Sequence, residues 1–359
     1  MKPKLLVINF GSTSSKLSVF EGTDETIRDS VNYTRDELNQ CPAVNDQLSL
    51  RRKTVEDFLS VNRLTPADFN AIVGRAGGTA PIHGPFQVNE RMVDKLLYRS
   101  KVRHVANLCC PIAYELALQA GIPAYTCSFS EDSMLEIAKI SGLPQVPRLA
   151  EGHMENWFAV SRKATGRLGK PYEQCNMIVA HMGGGTTMGL HMGGRIVDVI
   201  GDTEGAFGPE RSGGLPLNGY LELALSGSYT QQELRELMRG KGGLYAYCGT
   251  TDAREVERRI ADGDHLSEVV YHAMALQEAK AIAALAACAR GKVDCIAISG
   301  GLANSKLFTG WIREMAEFIA PVWVYPGEYE MEAMALSALR IINGTEPAGE
   351  YTEDLDVEV

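Results

Sequence analysis

One arrangement occurs twice in this chain and constrains its fold more than any other feature. Residues 4–9 form an apolar run (KLLVIN), Gly11-Ser12-Thr13-Ser14 follow, and residues 16–20 (KLSVF) are again strand-like. Residues 177–181 (MIVAH) lead through Gly183-Gly184-Gly185-Thr186-Thr187 into 188–192; Gly193-Gly194 then turn the chain into a third run, 195–200. Short apolar runs joined by glycine-rich turns are hairpins. The same design near the start of each half points to two related domains, each opening on a meander. A length of 359 residues is enough for two.

The remaining pattern is strands separated by helices. Residues 71–73 and 122–127 read as short strands, with an apolar-periodic helix at 112–120, while 28–65 reads as polar with helical stretches. The second half turns helical. Thr230 can cap a helix that stops at Gly240 and Gly242-Gly243, and Asp252 with Glu255 has the spacing of a capping box. Residues 269–290 form an alanine-rich helix, apolar almost all round and so expected between layers. Strands at 293–299 and 322–325, a helix at 332–342 and a frayed acidic tail from Glu346 complete an α/β fold.

Composition removes several function classes. A net charge of −10 argues against a nucleic-acid binder, which needs a basic face, but not against ATP, which needs a few local cations and backbone amides. No run of eighteen apolar residues occurs, so no membrane span is expected. The apolar start is too short for a secretory signal and carries Asn9, so it reads as a buried first strand. The eight cysteines show no CxxC spacing, and reduced thiols in a cytoplasmic protein are the simplest account. Gly-Lys pairs at 169–170, 240–241 and 291–292 are not followed by Ser or Thr, and neither GxGxxG nor GxSxG occurs. In their place, small turns at 9–14, 183–187 and 300–305 follow strand-like runs, where glycine lets backbone amides approach an anion and hydroxyls add donors.

Seven blocks then carry a specific resemblance: INFGSTSSK, VGRAGG, VAHMGGGTT, GPERSGGLP, GKGGLYAYCGTTDAREVE, GKVDCIAISGGLANS and VYPGEYEMEA. In this order, and over nearly the whole chain, they resemble the motifs of butyrate kinases of the acetate kinase family. The resemblance implies two duplicated actin-like (ribonuclease H-like) domains, with ATP in an interdomain cleft. They would span 1–148, completed by 332–359, and 149–331. It implies reversible transfer of phosphate between ATP and the carboxylate of butanoate or a similar short or branched-chain fatty acid, as in fermentation. ATP/ADP and Mg²⁺ are the implied cofactors, and a homodimer or larger homo-oligomer the implied assembly.

The chemistry asks for few groups. A fatty-acid carboxylate is ionised at neutral pH and needs no general base. Bringing it against an anionic phosphoryl group is a matter of positioning and charge neutralisation. Arg75 and Arg211 match the family's two arginines. A lone arginine is more often a surface ion pair, but both follow strand or loop positions rich in glycine, and guanidinium forks suit carboxylate and phosphate. His181 ends a strand before the glycine turn and matches a histidine that donates to the phosphoryl in flight; His191 reads as structural. By the same resemblance Ser12, Lys16, Gly183, Gly184 and Gly185 face nucleotide phosphates, and Gly300, Gly301 and Asn304 the adenosine side. His104, Asn107 and Phe207 line the acyl site, and Thr251, Asp252 and Glu255 cap a helix near the nucleotide. Asn9 and Glu330 match the magnesium positions, with Glu328 and Glu332 as alternatives to Glu330.

The chain also departs from the pattern. Ser128 stands where the family has an aspartate, with Glu131 and Asp132 near but out of register; Phe10 replaces a proline and Tyr329 an aspartate. A serine cannot supply the charge of that aspartate. The alternative to a working kinase is therefore a weakened paralogue that binds nucleotide and carboxylate in a regulatory role.

Overall fold

The computed structural model describes residues 2–76, 85–101, 103–126 and 133–355. They group into two compact units, Met1–Glu131 with Tyr329–Val359, and Asp132–Glu328. The boundary falls after 131 and not after 148, because 133–148 is stitched to the second unit. Ser133 Oγ donates to the Ile196 carbonyl (2.6 Å), Leu135 N to Val197 O (2.9 Å), and Arg148 forms an ion pair with Asp198 (3.0 Å).

In the first unit β1 (Lys4–Phe10), β2 (Ser14–Glu21) and β3 (Asp24–Asn32) form an antiparallel meander. β4 (Ala71–Gly74) runs parallel to β1 and β6 (Ala124–Thr126) parallel to β4, with β5 (Phe86–Gln87) and β12 (Gly349–Glu350) beyond. β1 is buried on both faces, which explains its unbroken apolar run. Leu6, Ile8 and Phe10 pack toward the helices Leu48–Val61 and Cys109–Ala120, and Leu5 and Val7 toward the helix Glu330–Ile342.

The second unit repeats the plan. β7 (Asn176–Met182), β8 (Thr186–Met192) and β9 (Arg195–Ile200) form the meander, and β10 (Cys295–Ser299) and β11 (Val322–Val324) add in parallel. The strand order β3-β2-β1-β4-β6 of the first sheet thus recurs as β9-β8-β7-β10-β11 in the second. The helix His265–Cys288 packs its apolar side on Ile178, Ala180, Met182, Met188 and Leu190.

Three local expectations change. β3 lies inside a stretch read as polar and helical; its sequence DETIRDSVN is exposed at almost every position, and pairing with β2 rather than an apolar pattern makes it a strand. Its charges suit the free edge of a sheet. The tail is not frayed through 355: β12 pairs with β5, Tyr351 is buried, and Asn89 Nδ2 donates to Tyr351 O (3.0 Å). Asp252 does cap the helix Ala253–Ala261, accepting from Arg254 N (3.0 Å), but Glu255 forms its ion pair forward with Arg259, so no reciprocal box forms.

Candidate active site

In the first unit the expected residues meet at the carboxyl ends of the parallel strands, where open α/β sheets place ligands. Arg75 follows β4, and its N–H donates to Ile8 O (3.1 Å), continuing the ladder with β1. Its guanidinium donates to Asn9 Oδ1 (3.4 Å) and lies 3.8 Å from Glu330 Oε2. Asn9 is 3 % exposed and donates through Nδ2 to Glu330 Oε2 (2.8 Å). Glu330 opens its helix, whereas Glu328 falls in the other unit. Lys16 is the direct cross-strand neighbour of Asn9. Gly74 is required here: a Cβ would stand 2.8 Å from the Cys109 backbone, which opens the packed helix.

His104 caps the short turn Val105–Leu108, its Nδ1 accepting from Ala106 N (3.2 Å), and Asn107 is buried in that turn. Desolvation, then the charges of Arg75 and Arg51, hold the His104 pKa below its usual value although part of its surface is open. Cys109 and Cys110 are buried, and burial pushes the Cys109 thiol up to about 12, so it stays protonated.

In the second unit the glycine turn carries a cationic and aromatic frame. A Cβ on Gly183 would stand 3.0 Å from His181 Nε2, and one on Gly185 would stand 3.2 Å from Arg211 Cγ. His181 and Arg211 therefore flank opposite ends of one turn. Arg211 is held by two carboxylates, Nε donating to Asp202 Oδ2 (3.2 Å) and a terminal nitrogen to Glu210 Oε1 (2.7 Å). Arg239 shares Asp202 at 2.8 Å.

His181 has a partner that the sequence analysis did not single out. The His153 ring stacks on it, centroids 4.0 Å apart and planes 19° apart, and His153 Nδ1 lies 2.9 Å from Thr187 Oγ1. His153 precedes the helix Met154–Leu168 in a glycine- and glutamate-flanked loop, where no strand or turn pattern marks it. His191 is structural as expected: Tyr172 Oη lies 2.7 Å from its Nδ1, and burial lowers its pKa to about 3.

A cavity of about 820 Å³ in the second unit gathers Gly183, Gly184, Gly301, Asn304, Thr251 and Asp252. Gly300 precedes the lining residue Gly301 and packs on the end of β7. At φ 93°, with a Cβ that would stand 2.3 Å from Met182 O, only glycine fits. Arg254, Glu257 and Ser305 also border this space, which is large enough for a nucleotide-sized ligand. Phe207, expected as an acyl wall, lies outside this nucleotide-sized cavity, which is not the acyl site. It packs in the core of the unit near Tyr247, its N–H donating to Gln277 Oε1 (3.3 Å), because the loop around it is drawn onto the long helix.

Beside that hydrogen bond lies Glu278, fully buried, with neither carboxyl oxygen hydrogen-bonded in ordinary geometry among the described residues. Desolvation raises its pKa to about 8; the nearby Thr186 hydroxyl, itself turned to Ala206 O (3.3 Å), offsets this only in part. The carboxyl is therefore mostly neutral at pH 7.

The sequence pattern described as the acetokinase family matches residues 151–316. Butyrate kinase 2 of Clostridium acetobutylicum is 41% identical over 98% of this chain and 100% of its own length. A probable butyrate kinase 2 of Caldanaerobacter subterraneus is 41% identical, covering 96% of this chain and 98% of the relative. The chain belongs to the acetokinase family.

Solved structures agree on the fold. Porphyromonas gingivalis acetate kinase superposes with a TM-score of 0.79 at 21% identity, over 95% of this chain and all of that one. A Francisella tularensis propionate kinase gives 0.70 at 17%, over 93% and 98%. The fold is the two-domain, actin-like α/β architecture of acetokinases, as the resemblance implied.

Of the acetokinase motif residues, Asn9, Lys16, Arg75 and Glu330 come together in one unit, and His181, Gly183 to Gly185 and Arg211 in the other. Ser128, with Glu131 and Asp132, lies outside the described residues.

Proposed function

We propose that the protein transfers the γ-phosphoryl group of ATP reversibly to the carboxylate of butanoate or a similar short or branched-chain fatty acid. A carboxylate oxygen forms the new bond to phosphorus, the bond from phosphorus to the bridging oxygen of ADP breaks, and acyl phosphate and ADP leave. No proton moves, which accords with a site rich in guanidinium and imidazole and without a dedicated base. One observation supports this reading above others: the glycine turn that borders the 820 Å³ cavity also carries His181 and Arg211 at its ends. Phosphates held by the turn amides would place the γ-phosphoryl beside the Arg211 guanidinium and the His181 imidazole.

In this reading Arg211 and the His153–His181 pair neutralise the phosphoryl, and Arg75 orients the carboxylate. Ser12, Lys16 and Gly183 to Gly185 hold phosphates, and Gly300, Gly301 and Asn304 face adenosine. Asn9 and Glu330 are the residues that would hold a magnesium ion: their side chains meet, the Asn9 amide nitrogen donating to the Glu330 carboxylate, and Mg²⁺, which keeps most of its waters, needs few protein oxygens. The ion would neutralise phosphate charge when bound. His104 and Asn107 line the acyl side.

A homo-oligomer goes with this reading. Ile137, Ile140, Leu143, Val146 and Leu149 are exposed, and so are Leu217, Leu221 and Leu225 on the helix Leu217–Leu225, apolar side chains that a second copy would cover. No helix among the described residues is long and apolar enough to cross a membrane. We assign the protein to the cytoplasm, in line with seven described cysteines that are all free.

A coupled assay with butanoate, isobutanoate and acetate tests the function; turnover with butanoate exceeding that with acetate is expected. Absence of turnover with all three acids, alongside clear ATP binding, overturns it in favour of the regulatory alternative, which full-length kinase relatives do not favour. Ser128→Asp raises kcat if the lost carboxylate limits the rate, and leaves it unchanged if another group serves.

A further inference from the structure

Arg51 is the largest buried charged side chain of the first unit and belongs to none of the motifs above. It stands in the first turn of the helix Leu48–Val61, with no exposed surface. Its guanidinium has five N–H groups, and five hydrogen bonds take them up. One terminal nitrogen donates to Ser14 O (2.6 Å) and Ser15 Oγ (3.2 Å), and the other to Ser12 O (3.2 Å) and Gln47 Oε1 (3.0 Å); Nε completes the set at Gln47 Oε1 (3.3 Å). The rings of Tyr33 and Phe10 lie 4.3 and 5.4 Å from the guanidinium carbon. None of these partners is ionised, and among the described residues no carboxylate pairs with Arg51. Desolvation accordingly lowers its pKa. A buried charge without a counter-charge is costly, so its retention calls for a reason.

The turn it braces supplies one. Residues 11–14 connect β1 to β2, and every carbonyl of that turn is tied. Gly11 O accepts from Ser14 N (3.4 Å), Ser12 O and Ser14 O accept from Arg51, and Thr13 O accepts from Tyr33 N (2.9 Å). No peptide here is cis. In a trans peptide the N–H points opposite to the preceding carbonyl. Anchoring Ser12 O to Arg51 therefore turns the Thr13 N–H away from the protein, and anchoring Gly11 O does the same for the Ser12 N–H. Neither N–H has a partner among the described residues, and both residues are exposed. Two free amides backed by a buried cation make an anion-binding concavity. The charge reaches beyond the turn: after desolvation, the charges of Arg75 and then Arg51 lower the His104 pKa.

We propose that Arg51 is a positioning residue for phosphate binding: it fixes the carbonyls of the 11–14 turn inward, presents the Ser12 and Thr13 amides to a nucleotide phosphate, and finds in that phosphate its missing counter-charge. The proposal rests on the reading that this turn meets ATP.

Steady-state kinetics of Arg51→Met and Arg51→Lys test it, with Lys16→Gln as a control on the reading itself. Arg51→Met should raise KM for ATP at least tenfold and change KM for the carboxylate less than twofold. Arg51→Lys, which keeps the charge with fewer donors, should fall between and carries the test if the methionine variant does not fold. By NMR the His104 imidazole should titrate at higher pH in Arg51→Met and near its original pH in Arg51→Lys. Unchanged KM for ATP in folded Arg51 variants, with a raised one in Lys16→Gln, overturns the role of Arg51 alone. Unchanged KM for ATP in Lys16→Gln as well overturns the assignment of the turn. A fall in kcat with both KM values moving together marks a structural brace only and also overturns the proposal.

Discussion

The two units build one strand order around two differently managed turns. In the first, a single glycine and three hydroxyl residues are braced from behind by Arg51, a cation buried without a carboxylate. In the second, three glycines close on themselves, Gly183 N donating to Gly185 O (3.1 Å), and the flanking cation, Arg211, sits among Asp202 and Glu210. Beneath that turn the buried ionisable group is an acid, Glu278, kept neutral. The same backbone topology thus tolerates a buried positive charge on one side and a buried proton on the other. The difference teaches that an anion site can be prepared in two ways. A turn with few glycines needs an external anchor for its carbonyls, while a glycine run is supple enough to place its own amides and leaves the cation, held by carboxylates, beside the turn rather than beneath it.

The largest effect should come from the surface cation of the second turn. Arg211→Ala is expected to lower kcat by about 10³ with a smaller change in KM for ATP, as for loss of a charge-stabilising donor. A fall below tenfold in steady-state assays would make Arg211 a mere ion pair of Asp202 and Glu210 and remove the contrast. His153→Gln and His181→Gln should each cost about 10², and the double variant little more than either, because stacked rings act as a unit. Additive losses would separate them.

Glu278→Gln sharpens the buried half of the comparison. With a folded pKa of about 8, raised above the ordinary 4.5, the carboxyl is protonated in both states below pH 4.5, where the variant gains nothing. Between these values unfolding releases a proton, so native stability falls as pH rises, and above about 8 the penalty is constant. The variant should therefore gain stability relative to the parent from pH 5 upward, on the order of 3 kcal/mol at pH 7, read by urea midpoints across pH. A gain independent of pH would show that Glu278 is not the titrating group. The smallest effect belongs to an exposed helix cap that touches neither turn. Thr230→Ala removes the cap bond to Glu233 N (3.2 Å) and should cost about 1 kcal/mol without changing kcat.

Residues 4–20 and 177–200 alone announced two meanders, since their apolar runs are set by burial on both faces and their turns by glycine. The motif residues Arg75, His181, Arg211, Asn9 and Glu330 were legible as candidates because each ends a strand, opens a helix or sits in a glycine loop. β3 was not legible, as its strand character comes from the edge of β2 rather than from its own side chains. Arg51 was hidden among charged neighbours on a helix, His153 in a featureless loop, and Glu278 in an alanine-rich run.

What the sequence determined by itself is what local chemistry writes: the repeated strand–turn–strand units, the helix caps at Thr230 and Asp252, the absence of a Walker loop, and the family. Only the tertiary structure decided which of many charged side chains lose their water. Arg51 and Glu278 look like surface residues in a string of letters, and become a buried cation and a buried acid because long-range packing of a helix on a sheet, not neighbouring sequence, sets the local dielectric.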